Sequence, residues 1–142
     1  RGIQLFEIRK LLEMLATRQA VPALTQVHCD LLSKFCNDMS AAVARRDVQG
    51  YFAANYSFHF LIYSAASAPD LVAMIEGLWM QIGPFYAAII DDSRADADWQ
   101  VHHEQVIAAI RAQDLEGAAL AISRDIESAK DYFSTRDIAL VG

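Results

Sequence analysis

Six glycines and three prolines in 142 residues leave little material for turns. A chain this poor in both, and rich in alanine, leucine and isoleucine, reads as helical. No stretch of useful length alternates apolar and polar residues, so strands are not expected. Cysteine is scarce as well. Cys29 and Cys36 stand seven apart in one helical-looking segment, about 10.5 Å along a helix axis, too far for a disulfide. There is no CxxC, so redox and thiolate-zinc chemistry fall away, and two reduced cysteines point to an intracellular, cytoplasmic protein. Basic residues are also few: 12 Lys and Arg face 18 Asp and Glu, for a net charge of -6 and a pI near 5.0. The only adjacent basic pairs are Arg9-Lys10 and Arg45-Arg46, too little for a patch that grips a phosphate backbone. Serine-nucleophile, glycine-rich phosphate-loop and HExxH motifs are missing too, and with them the recognisable enzyme classes.

What is present is apolar residue, 54% of the chain. At this length one domain is expected, with roughly two-thirds of the unfolded surface buried. The most apolar stretch, Leu71 to Ile90, carries Glu76, Gln81 and Pro84. It reads as a buried helix that faces a partner subunit, not as a membrane span. The chain opens on Arg1-Gly2-Ile3, without a starting Met or a signal-peptide pattern, and is read as a fragment.

Six helical segments follow from periodicity and caps. The first covers about Gln4 to Arg18, with Leu5, Ile8, Leu12 and Leu15 as its apolar stripe. The second begins at Pro22 and continues to about Arg46 along Leu24, Val27, Leu31, Phe35 and Met39. Asp47 caps the third, which ends near Ala66. Pro69 opens the fourth, where Gly83-Pro84 predicts a kink near the middle. The fifth runs roughly from Asp96 to Ala112, and Asp114 caps the sixth, which continues through Phe133. Asp47-Val48-Gln49-Gly50 and Asp114-Leu115-Glu116-Gly117 repeat one pattern, read simply as two similar helix starts.

The third helix carries the chemistry. Positions 48, 52, 55, 59 and 62 share one face at helical spacing, yet they read Val48, Phe52, Asn55, His59, Ile62. Two polar groups in a buried stripe cost several kcal/mol unless each finds partners. A metal ion is one such partner, since imidazole and amide oxygen both ligate; the bland alternative is that they satisfy each other or nearby backbone. On the fifth helix His103 shares a face with Ile107 and Ile110, with His102 turned about 100° away. On the sixth, Asp125 lies beside the Ile122/Ala129 line, a poor place for an unpaired carboxylate. His28 is assigned to the surface or its boundary. Arg9 and Glu13 form an i,i+4 pair, either a solvated ion pair of small worth or a counter-charge reaching into the same cavity.

Five stretches in register carry a family resemblance: Leu5-Phe6-Glu7-Ile8-Arg9-Lys10-Leu11-Leu12-Glu13, Asn55-Tyr56-Ser57-Phe58-His59-Phe60, Leu78-Trp79, His103-Glu104-Gln105-Val106-Ile107-Ala108-Ala109-Ile110 and Asp114-Leu115-Glu116-Gly117. The chain resembles the C-terminal effector (FCD) domain of GntR-family, FadR-subfamily transcription regulators over nearly its whole length. The resemblance implies an antiparallel all-α bundle of six to seven helices around a central polar cavity, occupying residues 1–142. It implies a divalent metal, Zn, Ni or Mn, held by Asn55, His59, His103 and Asp125. The last position is usually His in the family, and a carboxylate there shifts preference from Zn or Ni toward Mn or Mg. It further implies a small carboxylate effector, with Arg9, Phe58, Trp79 and Tyr86 as candidate ligand-binding residues. The regulator would be a homodimer that meets DNA only through an N-terminal winged helix-turn-helix absent from this chain. Two other readings stand beside it: a metal-dependent enzyme on a bundle, which lacks a recognisable base or nucleophile, and a purely structural dimerisation module.

Overall fold

A computed structural model describes residues 2–83 and 100–135, with side chains to residue 131. Within them the chain forms α1 (Gly2–Ala20), a 3-10 turn (Val21–Ala23), α2 (Gln26–Arg45), α3 (Val48–Ser64), α4 (Pro69–Ile82), α5 (Val101–Arg111) and α6 (Leu115–Thr135). No strand occurs among the described residues. The all-α expectation holds.

The tight α2–α3 and α5–α6 connections make each of those pairs close neighbours. The most extensive packing joins α2 to α3 and α5 to α6, and brings α1 against α6. Helix α1 also touches α3 and α4, and α5 touches α2. Two ion-paired lysines tie α1 to α6: Lys10 meets Glu127 at 3.1 Å and Lys130 meets Glu7 at 2.7 Å.

The repeated Asp-x-x-Gly pattern is one turn built twice. Arg46 and Gln113 both take the left-handed conformation, at φ 54° and 53°, which ends the preceding helix. The next residue then caps the new one: Asp47 accepts from the Gly50 amide and Asp114 from the Gly117 amide, each at 2.9 Å. A Cβ on Gly50 or Gly117 would lie 2.3 or 2.2 Å from the capping carboxylate. Glycine at the third helical position therefore leaves room for the cap.

Two helices differ from expectation in which face they bury. In α1 the inward residues are Phe6, Arg9, Glu13, Ala16, Thr17 and Ala20, while Ile8, Leu11 and Leu15 face solvent. The helix has apolar residues on both sides, and the bundle selects the side with a charge pair because partners on α3 and α4 satisfy it. In α2 the helix starts at Gln26, not at Pro22, which sits in the 3-10 turn. The Thr25 amide donates to His28 Nδ1 at 2.9 Å, so the histidine assigned to the boundary closes the helix start. Cys29 and Leu32 point inward, and Val27 and Leu31 outward.

Helix α3 is buried on most of its circumference, and Asn55, His59 and Ile62 all face the interior. Helix α4 ends at Ile82. The predicted kink at Gly83-Pro84 and the fifth helix's predicted start at Asp96 reach into residues 84–99, outside the described residues.

Candidate metal centre

Three helices bring His59, His103 and Asp125 to one point. His59 Nε2 lies 3.1 Å from Asp125 Oδ2, and His103 Nε2 lies 3.4 Å from the same oxygen. One ligand atom from each of the three residues fits within a 4.8 Å cluster. His59 and His103 are 0% and 2% exposed, and the Asp125 side chain 17%. Asn55, one turn before His59 on the same face of α3, is buried as well. Its Oδ1 has no hydrogen-bond partner, nor does His59 Nε2, although Asp125 is so close.

Burial and neighbouring charges shift His59 and Asp125 toward their metal-binding forms. Burial pushes the His59 ring below its usual 6.5, outweighing the opposite pull of Asp125 and Glu13, so the imidazole is neutral near pH 7. Burial would push the Asp125 carboxyl up, but His103 and His59 beside it hold it well below its usual 3.8.

A second layer surrounds the cluster, and its key members were not legible as site residues. His59 Nδ1 meets the Tyr63 hydroxyl at 2.9 Å. Tyr63 in turn donates a short hydrogen bond to Glu13 Oε1. Glu13 also accepts from Trp79 Nε1 at 3.2 Å and is ion-paired with Arg9. The Arg9 guanidinium lies over the Trp79 ring, 4.4 Å from its centroid. Burial pushes the Tyr63 phenol well above 10, so its proton is retained. On the other side His103 Nδ1 meets Gln100 Oε1 at 2.8 Å. Gln100 donates to the Cys36 carbonyl at 2.7 Å and to Ser40 Oγ at 3.0 Å. Tyr63 follows His59 by one turn and Gln100 precedes His103 by three residues. Helical spacing alone was a signal for both.

Among the expected ligand-binding residues, Phe58 is buried with its ring 4.7 Å from that of His103, and Trp79 lies 5.0 Å from His59. Arg9 is at the site but paired to Glu13, a buried arrangement and not the solvated pair that was the simpler reading. Tyr86 lies outside the described residues. His102 is turned away, within 3.4 Å of Gln105 Oε1.

Residues 4–128 match the family model described as the FCD domain. The HTH-type transcriptional regulator McbR of Escherichia coli (strain K12) is 32% identical over 124 residues, covering 80% of this chain and 54% of McbR. The chain thus spans about half the length of that curated relative. The solved structure of E. coli McbR/YncC superposes with a TM-score of 0.81 at 25% identity, over 94% of this chain and 67% of that one. The likeness is to a transcription regulator and not to an enzyme.

Proposed function

The chain belongs to the FCD domain family, and from that premise we propose that it is the ligand-sensing half of a GntR-type transcription regulator. In this reading a divalent metal sits between α3, α5 and α6, held by Asn55, His59, His103 and Asp125. The observation that supports it most is the clustering of His59, His103 and Asp125 ligand atoms within 4.8 Å of one another, with His59 Nε2 and, one turn earlier on α3, Asn55 Oδ1 buried and without hydrogen-bond partners. Acceptors gathered in a buried space are costly unless a cation lies among them. A set of two imidazoles, one carboxylate and one amide oxygen suits borderline divalent ions such as Zn, Ni or Mn.

A bound ion would supply positive charge and open coordination positions for an anionic oxygen. Without it, the carboxylates of Asp125 and Glu13 outnumber the Arg9 cation, which disfavours a further carboxylate in the site. Metal entry reverses that sign. A small organic acid then has a seat, with Phe58 and Trp79 as apolar walls. Arg9 acts through Glu13 and Trp79, as counter-charge to the buried carboxylate. A core satisfied without metal, as a structural module requires, would not leave these two acceptors unmatched.

The partner is a second copy of the chain. Leu11 and Leu15 on α1, and Met74 and Met80 on α4, are exposed on two helices that pack together. An apolar surface of this kind marks an interface. These exposed apolar side chains, two of them on the helix expected to face a partner, favour a dimer formed through α1 and α4. DNA would be met by a separate N-terminal domain, in the cytoplasm, with a second-site signal passed from this one.

Titration with Zn2+ after chelator treatment tests the proposal. Stoichiometric uptake by the wild type and its loss in His59→Ala are expected, followed by a further rise in melting temperature with small carboxylates only when metal is present. Wild-type protein that takes up no Zn2+, Ni2+ or Mn2+ would overturn it.

A further inference from the structure

A histidine can ligate only through a nitrogen that carries no proton, so the hydrogen bond made by the opposite nitrogen decides whether it is ready. For both histidines that opposite bond can be assigned from donor and acceptor chemistry. The Tyr63 hydroxyl has one proton, and the geometry gives it to Glu13. Glu13, ion-paired with Arg9, offers only acceptor oxygens. The hydroxyl oxygen, 2.9 Å from His59 Nδ1, must then accept. The His59 proton is on Nδ1. At Gln100 the amide nitrogen faces two acceptors, the Cys36 carbonyl and Ser40 Oγ, which fixes which end of the amide is oxygen. That oxygen meets His103 Nδ1 at 2.8 Å and can only accept. The His103 proton is on Nδ1 as well.

We propose that Tyr63, held by Glu13, and Gln100 are positioning residues that lock His59 and His103 in the Nδ1-protonated form, turning both Nε2 lone pairs toward Asp125. The two locks reach the site from different parts of the bundle. One starts on α1, at the Arg9–Glu13 pair, and passes through Tyr63 on α3. The other starts at the Cys36 carbonyl and Ser40 on α2 and passes through Gln100. Each turns an imidazole that would otherwise sample both tautomers into a ligand formed before metal arrives. The expected consequence for affinity rests on the metal reading above; the tautomer assignment does not.

The test is long-range 1H–15N correlation NMR on 15N-histidine-labelled, chelator-stripped protein at pH 8. Wild type should show Nδ1 protonated and Nε2 bare at both His59 and His103. Tyr63→Phe removes the acceptor and should move the His59 proton, wholly or in part, to Nε2, where Asp125 can accept it. Gln100→Leu should do the same at His103 and leave His59 unchanged, and Gln100→Glu should restore the wild-type tautomer. Zn2+ affinity, measured by competition with a chromophoric chelator, should fall about 10–100-fold in Tyr63→Phe and Gln100→Leu. Wild-type His59 or His103 protonated on Nε2 would overturn the proposal even if no variant folded, as would a tautomer unmoved by Tyr63→Phe. Wild-type protein with both predicted tautomers and no Zn2+ uptake would instead overturn the metal reading alone.

Discussion

Asp125→Asn should change stability in opposite directions with and without metal. In the metal-free protein Asp125 Oδ2 faces His59 Nε2 at 3.1 Å and His103 Nε2 at 3.4 Å, and the tautomers proposed above set acceptor against acceptor. The new side chain is nearly the same shape but brings an NH2 that can donate to either ring. One buried hydrogen bond gained is worth about 0.5–1.5 kcal/mol. For a domain of this size that is a rise of about 2–5 °C in melting temperature. With metal the sign reverses. A unit charge about 4 Å from another contributes roughly 4 kcal/mol at an effective dielectric of 20, and part of it is retained because the amide oxygen still ligates. A net loss of about 2.7 kcal/mol weakens the ion about 100-fold. If free Zn2+ is set near 1,000 times the wild-type Kd, the wild type gains about 4.1 kcal/mol and the variant only about 1.4. The Zn2+-induced shift should therefore drop from about 12 °C to about 4 °C. Differential scanning fluorimetry in chelator and in buffered Zn2+ reads both numbers. A variant that melts lower than wild type in chelator, or that gains as much from Zn2+, would refute the reasoning.

Other consequences are separately measurable. Because burial lowers the His59 pKa, the unfolded chain binds a proton there more readily than the folded one, so metal-free stability should be full above the usual 6.5 and decline as pH falls below it; chemical denaturation from pH 8 to 5 checks this, and Zn2+ affinity should weaken over the same range. Arg9→Ala strands Glu13 in the core and should cost about 3–5 kcal/mol, as read by urea denaturation. Asp47→Ala should cost about 1 kcal/mol in the wild type and close to nothing in a Gly50→Ala background, where the cap is already displaced; a thermal double-mutant cycle measures the coupling. Leu11→Glu should shift the proposed dimer toward monomer in sedimentation velocity while leaving Zn2+ stoichiometry unchanged.

How much of this was readable beforehand depends on how each residue interrupts its pattern. Asn55 and His59 stood out because they break an otherwise apolar stripe, and the structure buries both. His103 was legible for the same reason. Asp125 was expected from register, and one of its oxygens lies 3.1 Å from His59 Nε2 and 3.4 Å from His103 Nε2. Arg9 and Glu13 were ambiguous because a charge pair at i,i+4 looks the same on a wet face and a dry one, and because Leu5, Ile8, Leu12 and Leu15 offered a competing stripe. What decides the rotation of α1 is a set of partners distant in sequence, Tyr63 on α3 and Trp79 on α4. The start of α2 was misplaced because Pro22 is equally at home in a 3-10 turn, while Thr25 and His28 close the helix start.

The packing of α1 against α6 also bears on the order in which the chain assembles. The α2–α3 and α5–α6 hairpins are local, each closed by a left-handed residue and an aspartate cap, and local contacts form early. The α1–α6 contacts join helices far apart in sequence, and the buried charge pair on α1 is satisfied only once α3 and α4 are in place. Docking of α1 is thus a late event on the folding route. Interactions made after the transition state act mainly on the unfolding rate. Weakening the Arg9–Glu13 lock should accordingly leave refolding speed almost untouched and shorten the lifetime of the native bundle.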